Sequence, residues 1–116
     1  MQAIETLIQQ AYSAFNKRDI DGVLLLMTPD VHWPNGWEGG YVFGTEAVRE
    51  YWSRQWKELD PRVDPIEFVT DKYGRVVVTV HALVRDMDGE IVSDGNVVHA
   101  YQFENKLIKR MEIRSA

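Results

Sequence analysis

Val76–Phe103 reads VVVTVHALVRDMDGEIVSDGNVVHAYQF, two runs rich in β-branched residues joined across Asp88-Gly89. An Asp-Gly step between two such runs is a strong hairpin signal, because Gly supplies the positive φ that tight hairpin turns need. Working outward, a Lys72-Tyr73-Gly74 turn precedes the pair, and before it Pro65 starts the sheet with a strand over Ile66–Thr70. On the far side a last strand is expected over Leu107–Arg114. Upstream the period changes. In residues 3–17, Ile4, Leu7, Ile8, Ala11 and Phe15 recur at helical spacing, with Gln9, Gln10 and Lys17 off that stripe. Helices first and an antiparallel meander after them is the α+β pattern, with helices laid on one face of a curved sheet.

Two more helices are expected in the first half. Asp19 or Asp21 caps a short one over Gly22–Met27, closed by Thr28-Pro29, and Val23–Met27 (VLLLM) buries it on most sides. Thr45 caps the third, whose inner stripe is Val48, Tyr51, Trp52, Gln55 and Leu59 with Trp56 on the flank; Asp60-Pro61 breaks it. Before it, Val31–Trp33 reads as a short strand ended by Pro34. Asp30–Gly44 (DVHWPNGWEGGYVFG) then combines turn-making Gly and Pro with Trp33, Trp37, Tyr41 and Phe43. Such a run either folds over the mouth of a cavity or caps one end of a core.

Composition narrows the classes. A chain of 116 residues is expected to form one domain over 1–116, able to bury roughly two-thirds of its unfolded surface. Cysteine is absent, which excludes disulfides, thiolate metal sites and a Cys nucleophile. A net charge of −5 with scattered Lys and Arg argues against nucleic acid as a partner. No apolar run of some 18 residues is present to span a membrane, and the start lacks the basic and apolar regions of a signal peptide. A cytoplasmic location is the default expectation. His32, His81 and His99 show neither HxH nor HExxH spacing, so no metal is expected. Ser13, Ser53, Ser93 and Ser115 sit in no nucleophile-elbow motif.

Three stretches together carry a resemblance: FNKRDIDGVLLLMTPDVHW after the first helix, FGTEAVREYW after the aromatic loop, and VVHAYQFENKLIKRMEI at the end. They resemble the cone-shaped α+β fold shared by nuclear transport factor 2, ketosteroid isomerase and the SnoaL-like polyketide cyclases, and the resemblance covers nearly the whole chain. It implies three N-terminal helices packed on a strongly curved antiparallel sheet, an internal pocket, and a homodimer formed through the outer sheet face. Val76–Val84 has apolar residues on both faces to support that pairing. The isomerase's base aspartate corresponds to Asn35 here. Its oxyanion-binding tyrosine corresponds to Ala11, one residue before Tyr12, and its second oxyanion donor to His99. All three positions depart from the isomerase pattern.

What remains is acid–base chemistry. Alternation puts Val97, His99, Tyr101 and Phe103 on one face, the face that lines the cone in the resembled fold. On the preceding strand His81, Leu83 and Arg85 share a face. With a two-residue turn at Asp88-Gly89, His81 opposes Asn96 and lies off the His99 face. A bulge near Ser93-Asp94-Gly95 would bring both histidines to one polar wall, with Arg85 and Asp94 nearer the hairpin end. Candidate catalytic residues are therefore His99, Asn35, His81 and Asp94. Histidine exchanges protons near neutral pH, and Asp94 can orient one or itself act as base.

Candidate ligand-binding residues are Tyr12, Trp33, Trp37, Trp52, Gln55, Trp56, Arg85 and Tyr101. The tryptophans suit a small apolar or ring-containing ligand, and equally a core. Gln55 either bonds structurally or points into a polar pocket, and Asn35-Gly36 is also a common turn. The expected function is a cofactor-independent isomerase, cyclase or dehydratase acting on an apolar carbonyl compound. The alternatives are a hydrophobic-ligand-binding module or a dimeric interaction protein.

Overall fold

Along the computed structural model, which describes residues 2–115, helix α1 (Gln2–Asn16) is followed by α2 (Ile20–Leu24), strands β1 (Met27–Pro34) and β2 (Tyr41–Phe43), and helix α3 (Thr45–Glu58). Four strands complete the chain: β3 (Leu59–Thr70), β4 (Val76–Asp86), β5 (Ile91–Glu104) and β6 (Leu107–Ser115). The six strands form one curved sheet in the order β2-β1-β6-β5-β4-β3, antiparallel throughout except for β1 beside β6. The helices lie on one face of it, the α+β arrangement that the change of period indicates. No helix among the described residues is long and apolar enough to cross a membrane.

The core follows the two periodicities. From α1, Ile8 and Ala11 are buried, and Ile4, Leu7 and Phe15 pack against them. From β4, Val76, Val78 and Val80 alternate inward and are buried. Val48, Tyr51 and Trp52 of α3 close the other side. Trp52 stacks on Trp56 at 5.6 Å and meets Phe15 and Trp33 edge-on.

Several boundaries differ from the sequence reading, each for a local reason. Asp19 caps α2 by accepting from the Gly22 N–H, but the helix stops at Leu24. Met27 already pairs with Ile108, whose N–H donates to the Leu26 carbonyl at 2.8 Å, so the parallel pairing ends the helix early. Thr28-Pro29 thus lies inside β1. The N-cap of α3 is Gly44, not Thr45. Gly44 sits at φ 88°, ψ 156°, a region open essentially to glycine, and its N–H reaches the Val31 carbonyl at 2.8 Å.

Strand β3 begins at Leu59, six residues before Pro65, and carries two prolines. An edge position explains this. Val63 turns its N–H and carbonyl away from β4, toward the Asn16 side chain at 2.9 and 2.7 Å. By the two-residue period Pro61 and Pro65 point their nitrogens the same way, where no ladder bond is lost. The Pro61 carbonyl accepts from Arg18.

The β4–β5 turn settles the register question. Asp86 N–H bonds the Glu90 carbonyl and Gly89 has φ 88°, so the loop has three residues, Met87-Asp88-Gly89, rather than two. A bulge does occur, but beside the turn: Arg85 pairs with Ile91 and Val84 with Ser93. The longer loop and the bulge cancel. Through the body of the hairpin His81 opposes Asn96, and Val78 opposes His99, so the two histidines lie on opposite faces of the sheet.

Candidate functional site

Between the helices and the concave face of the sheet lies a cavity of about 480 Å³, within the usual range for small-molecule sites. Helix α1 contributes Ala11, Tyr12 and Phe15; α3 contributes Tyr51, Trp52 and Gln55; the end of β1 and its loop contribute Trp33, Pro34 and Asn35. The sheet supplies Ala82, Val84, Val97, His99 and Tyr101, with Met111 and Ile113 from β6 and Pro61 and Val63 from the edge strand. No Asp, Glu, Lys or Arg stands among these lining residues.

The polar centre is a row of three side chains. The Tyr101 hydroxyl donates to the Tyr12 oxygen at 2.7 Å, and the Tyr12 hydroxyl lies 2.7 Å from His99 Nδ1. Alternation along β5 turns both His99 and Tyr101 inward, while α1 lowers Tyr12 onto them from above. The Tyr12 and His99 rings stack at 5.8 Å. All three residues are buried, His99 being 7% exposed. Burial away from water lowers the His99 pKa to about 4 and raises both phenols above their ordinary range. At neutral pH the row is therefore uncharged.

Asn35 borders the cavity and is buried, but most of its amide serves the loop. Its Oδ1 accepts from the N–H groups of Trp37 (3.1 Å) and Glu38 (2.7 Å), and its Nδ2 donates to Glu38 at 3.0 Å. One Nδ2 proton remains for a ligand. Glu38 in turn takes a two-oxygen bond from Arg54, which fastens the loop to α3 and, together with Asn35, lowers the Glu38 pKa. Gln55 lines the cavity half-buried and has no hydrogen-bond partner among the described residues.

The structure thus brings Tyr12, Trp33, Asn35, Trp52, Gln55, His99 and Tyr101 to one cavity. It leaves the other candidates outside. His81 and Asp94 bond each other at 2.6 Å on the outer face of the sheet, both well exposed, because the bulge that would have turned His81 inward is offset by the turn. Arg85 shares that outer face and bonds the Gly89 carbonyl at 3.2 Å. Trp37 is 37% exposed on the loop, and Trp56 stands behind Trp52, with the Arg18 guanidinium 4.9 Å from its ring.

Other residues of the site were absent from the sequence reading. A strand read from Pro65 onward leaves out Pro61 and Val63, which β3 brings to the cavity. Met111 and Ile113 alternate on β6, a signal that was available. Tyr51 was read only as core; it is buried at the cavity wall, and burial raises its pKa against the opposing effect of the Gly36 and Trp37 amides.

Comparison with known proteins gives a consistent picture. The chain superposes on an NTF2-like protein of unknown function from Burkholderia pseudomallei with a TM-score of 0.85 and 26% identity, covering 100% of this chain and 92% of that one. TerC, co-crystallised with polyporic acid, is similar with a TM-score of 0.84 and 29% identity over 98% of this chain and 92% of TerC. A candidate polyketide cyclase from Xanthomonas campestris has the same fold, with a TM-score of 0.83 and 19% identity over 99% and 91% of the two chains. A search of curated protein sequences gives no match. The SnoaL-like domain family matches residues 8–111, nearly the full length. The chain belongs to the SnoaL-like domain family.

Proposed function

We propose that this protein binds a small, largely apolar, carbonyl-bearing molecule in the cavity and promotes a cofactor-independent proton transfer in it, of the isomerase, cyclase or dehydratase type. His99 is the group that donates to the carbonyl oxygen, and, with no carboxylate on the wall, the proton leaving carbon passes to a water admitted to the cavity or to a basic atom of the ligand itself. The observation that carries the reading is a neutral, buried imidazole on the wall of an otherwise aromatic and aliphatic cavity. In such a setting a hydrogen bond to a developing oxyanion is far stronger than in water. Tyr12 and Tyr101 support the ring, Trp33 and Trp52 supply flat apolar walls, and Gln55 and Asn35 each have amide capacity left for a second polar group of the ligand. The similarity to TerC, which was crystallised with a small molecule, supports a small-molecule ligand here as well.

A second reading, binding without turnover, is favoured by one observation: no carboxylate lines the cavity to act as base. Replacing His99 with Ala separates the two. For a panel of aryl ketones and 1,3-diketones, the first reading expects turnover to fall about 10²–10³-fold with affinity changed much less. Binding by the wild type with no turnover of any member leaves the second reading. Binding and turnover both unaffected by the substitution would remove His99 from either account.

A further inference from the structure

The hydrogen-bonded row ending at His99 has a direction, and that direction decides what the cavity meets. Tyr101 is 1% exposed, and its hydroxyl has one partner among the described residues, the Tyr12 oxygen. A buried hydroxyl proton with no acceptor is strongly disfavoured, and Tyr12 is the one acceptor the described residues offer, so the Tyr101 proton lies toward Tyr12. Tyr12 is itself buried, and its own proton then has one acceptor within reach, His99 Nδ1 at 2.7 Å. Nδ1 must accordingly present a lone pair. The ring proton sits on Nε2, which makes no hydrogen bond among the described residues, on a residue that lines the cavity. The reverse order, with Nδ1–H donating to Tyr12 and Tyr12 to Tyr101, would leave the Tyr101 proton without an acceptor among the described residues.

We propose that Tyr101 is a positioning residue that acts through Tyr12 to hold His99 in its Nε2–H tautomer, so that the cavity is offered a hydrogen-bond donor and not an imidazole base. This deepens the reading above and, in its chemical consequence, rests on it. The ligand class it selects is a molecule with a neutral acceptor oxygen to set against Nε2–H. A ligand whose only polar group is a donor, such as a simple amine cation, finds no partner on this wall. The tautomer itself needs no ligand to be observed.

The test is the long-range proton–nitrogen NMR spectrum of the ring-¹⁵N-histidine-labelled full chain at neutral pH, with His99→Gln assigning the His99 signals and with His32 and His81 as internal references. For the wild type we expect the Nε2–H form of His99 in excess by about fivefold or more. In Tyr101→Phe the Nδ1–H form should rise to a comparable population, with the His32 and His81 signals unmoved. Should Tyr101→Phe fold poorly, Tyr12→Phe removes the donor to Nδ1 directly and should give the same redistribution. A wild-type His99 that is charged or in the Nδ1–H form overturns the proposal, as does an unchanged tautomer in both folded variants. Failure of the carbonyl panel to bind, with the tautomer as described, would sink the functional reading alone.

Discussion

At the scale of the single residue, His99 couples the site to stability. Its folded pKa of about 4 lies below the ordinary value of 6.5 because burial penalises the charged ring. Between those two pH values the unfolded chain binds a proton that the folded chain does not. Stability is therefore unaffected by this group above about pH 6.5, falls as pH drops toward 4, and loses nothing further from it below that. At 1.36 kcal/mol per unit the loss is roughly 3 kcal/mol. His99→Gln should flatten this part of the profile, so that urea midpoints at pH 7 and pH 4.5 lie closer together than in the wild type; equal differences in the two proteins would refute it. The inward placement of His99 was legible from plain alternation along β5. The exclusion of His81 and Asp94 was not, because it depends on a three-residue turn and a bulge at Val92 that compensate each other. Neither alone is visible as more than an option in Met87–Gly95.

Among the elements, the edge strand β3 shows how side chains from one part of the fold secure another. Asn16, the last residue of α1, satisfies both backbone groups of Val63, and Arg18 reaches the Pro61 carbonyl and the Asp60 carboxylate. These contacts cover the outward groups that an open edge would otherwise present, and they hold Pro61 and Val63 at the cavity wall. Asn16→Ala should cost about 1–3 kcal/mol, the worth of two hydrogen bonds at a half-buried position, and should speed exchange of the Val63 amide more than that of amides on β4. A stability within error of the wild type would show that water replaces the amide fully. Sequence reasoning starts the strand only at Pro65, because Asp60-Pro61 reads as a breaker. The tolerance of proline here depends on an edge position, which is a property of strand order and not of local sequence. The same holds at Gly44, where the chain must leave β2 and start α3 beneath Pro29, so that glycine supplies the cap that local sequence assigns to Thr45.

For the whole molecule, the two faces of the sheet divide the work. The concave face is committed to helices and cavity, which leaves the convex face free, where Val77, Leu83 and Val98 lie half-buried among the His81–Asp94, Arg62–Asp64 and Arg110–Glu112 pairs. Such a mixed surface suits a self-complementary interface, in which apolar strips meet apolar strips and each ion pair faces its symmetry mate. Association of two copies through this face is an expectation of the family resemblance that a mass measurement tests. Analytical ultracentrifugation should then find a species of twice 13.5 kDa at micromolar concentration. Val98→Arg, which puts a charge in the middle of that face, should return it to the monomer. Because Val98 points away from the cavity, ligand affinity should be retained in the monomeric variant. A wild-type mass of 13.5 kDa at every concentration would leave the convex face as a solvated surface. A loss of ligand affinity in a folded Val98→Arg monomer whose His99 ring signals match the wild type would instead mean that the cavity depends on the second copy, because the adjoining backbone is then undisturbed.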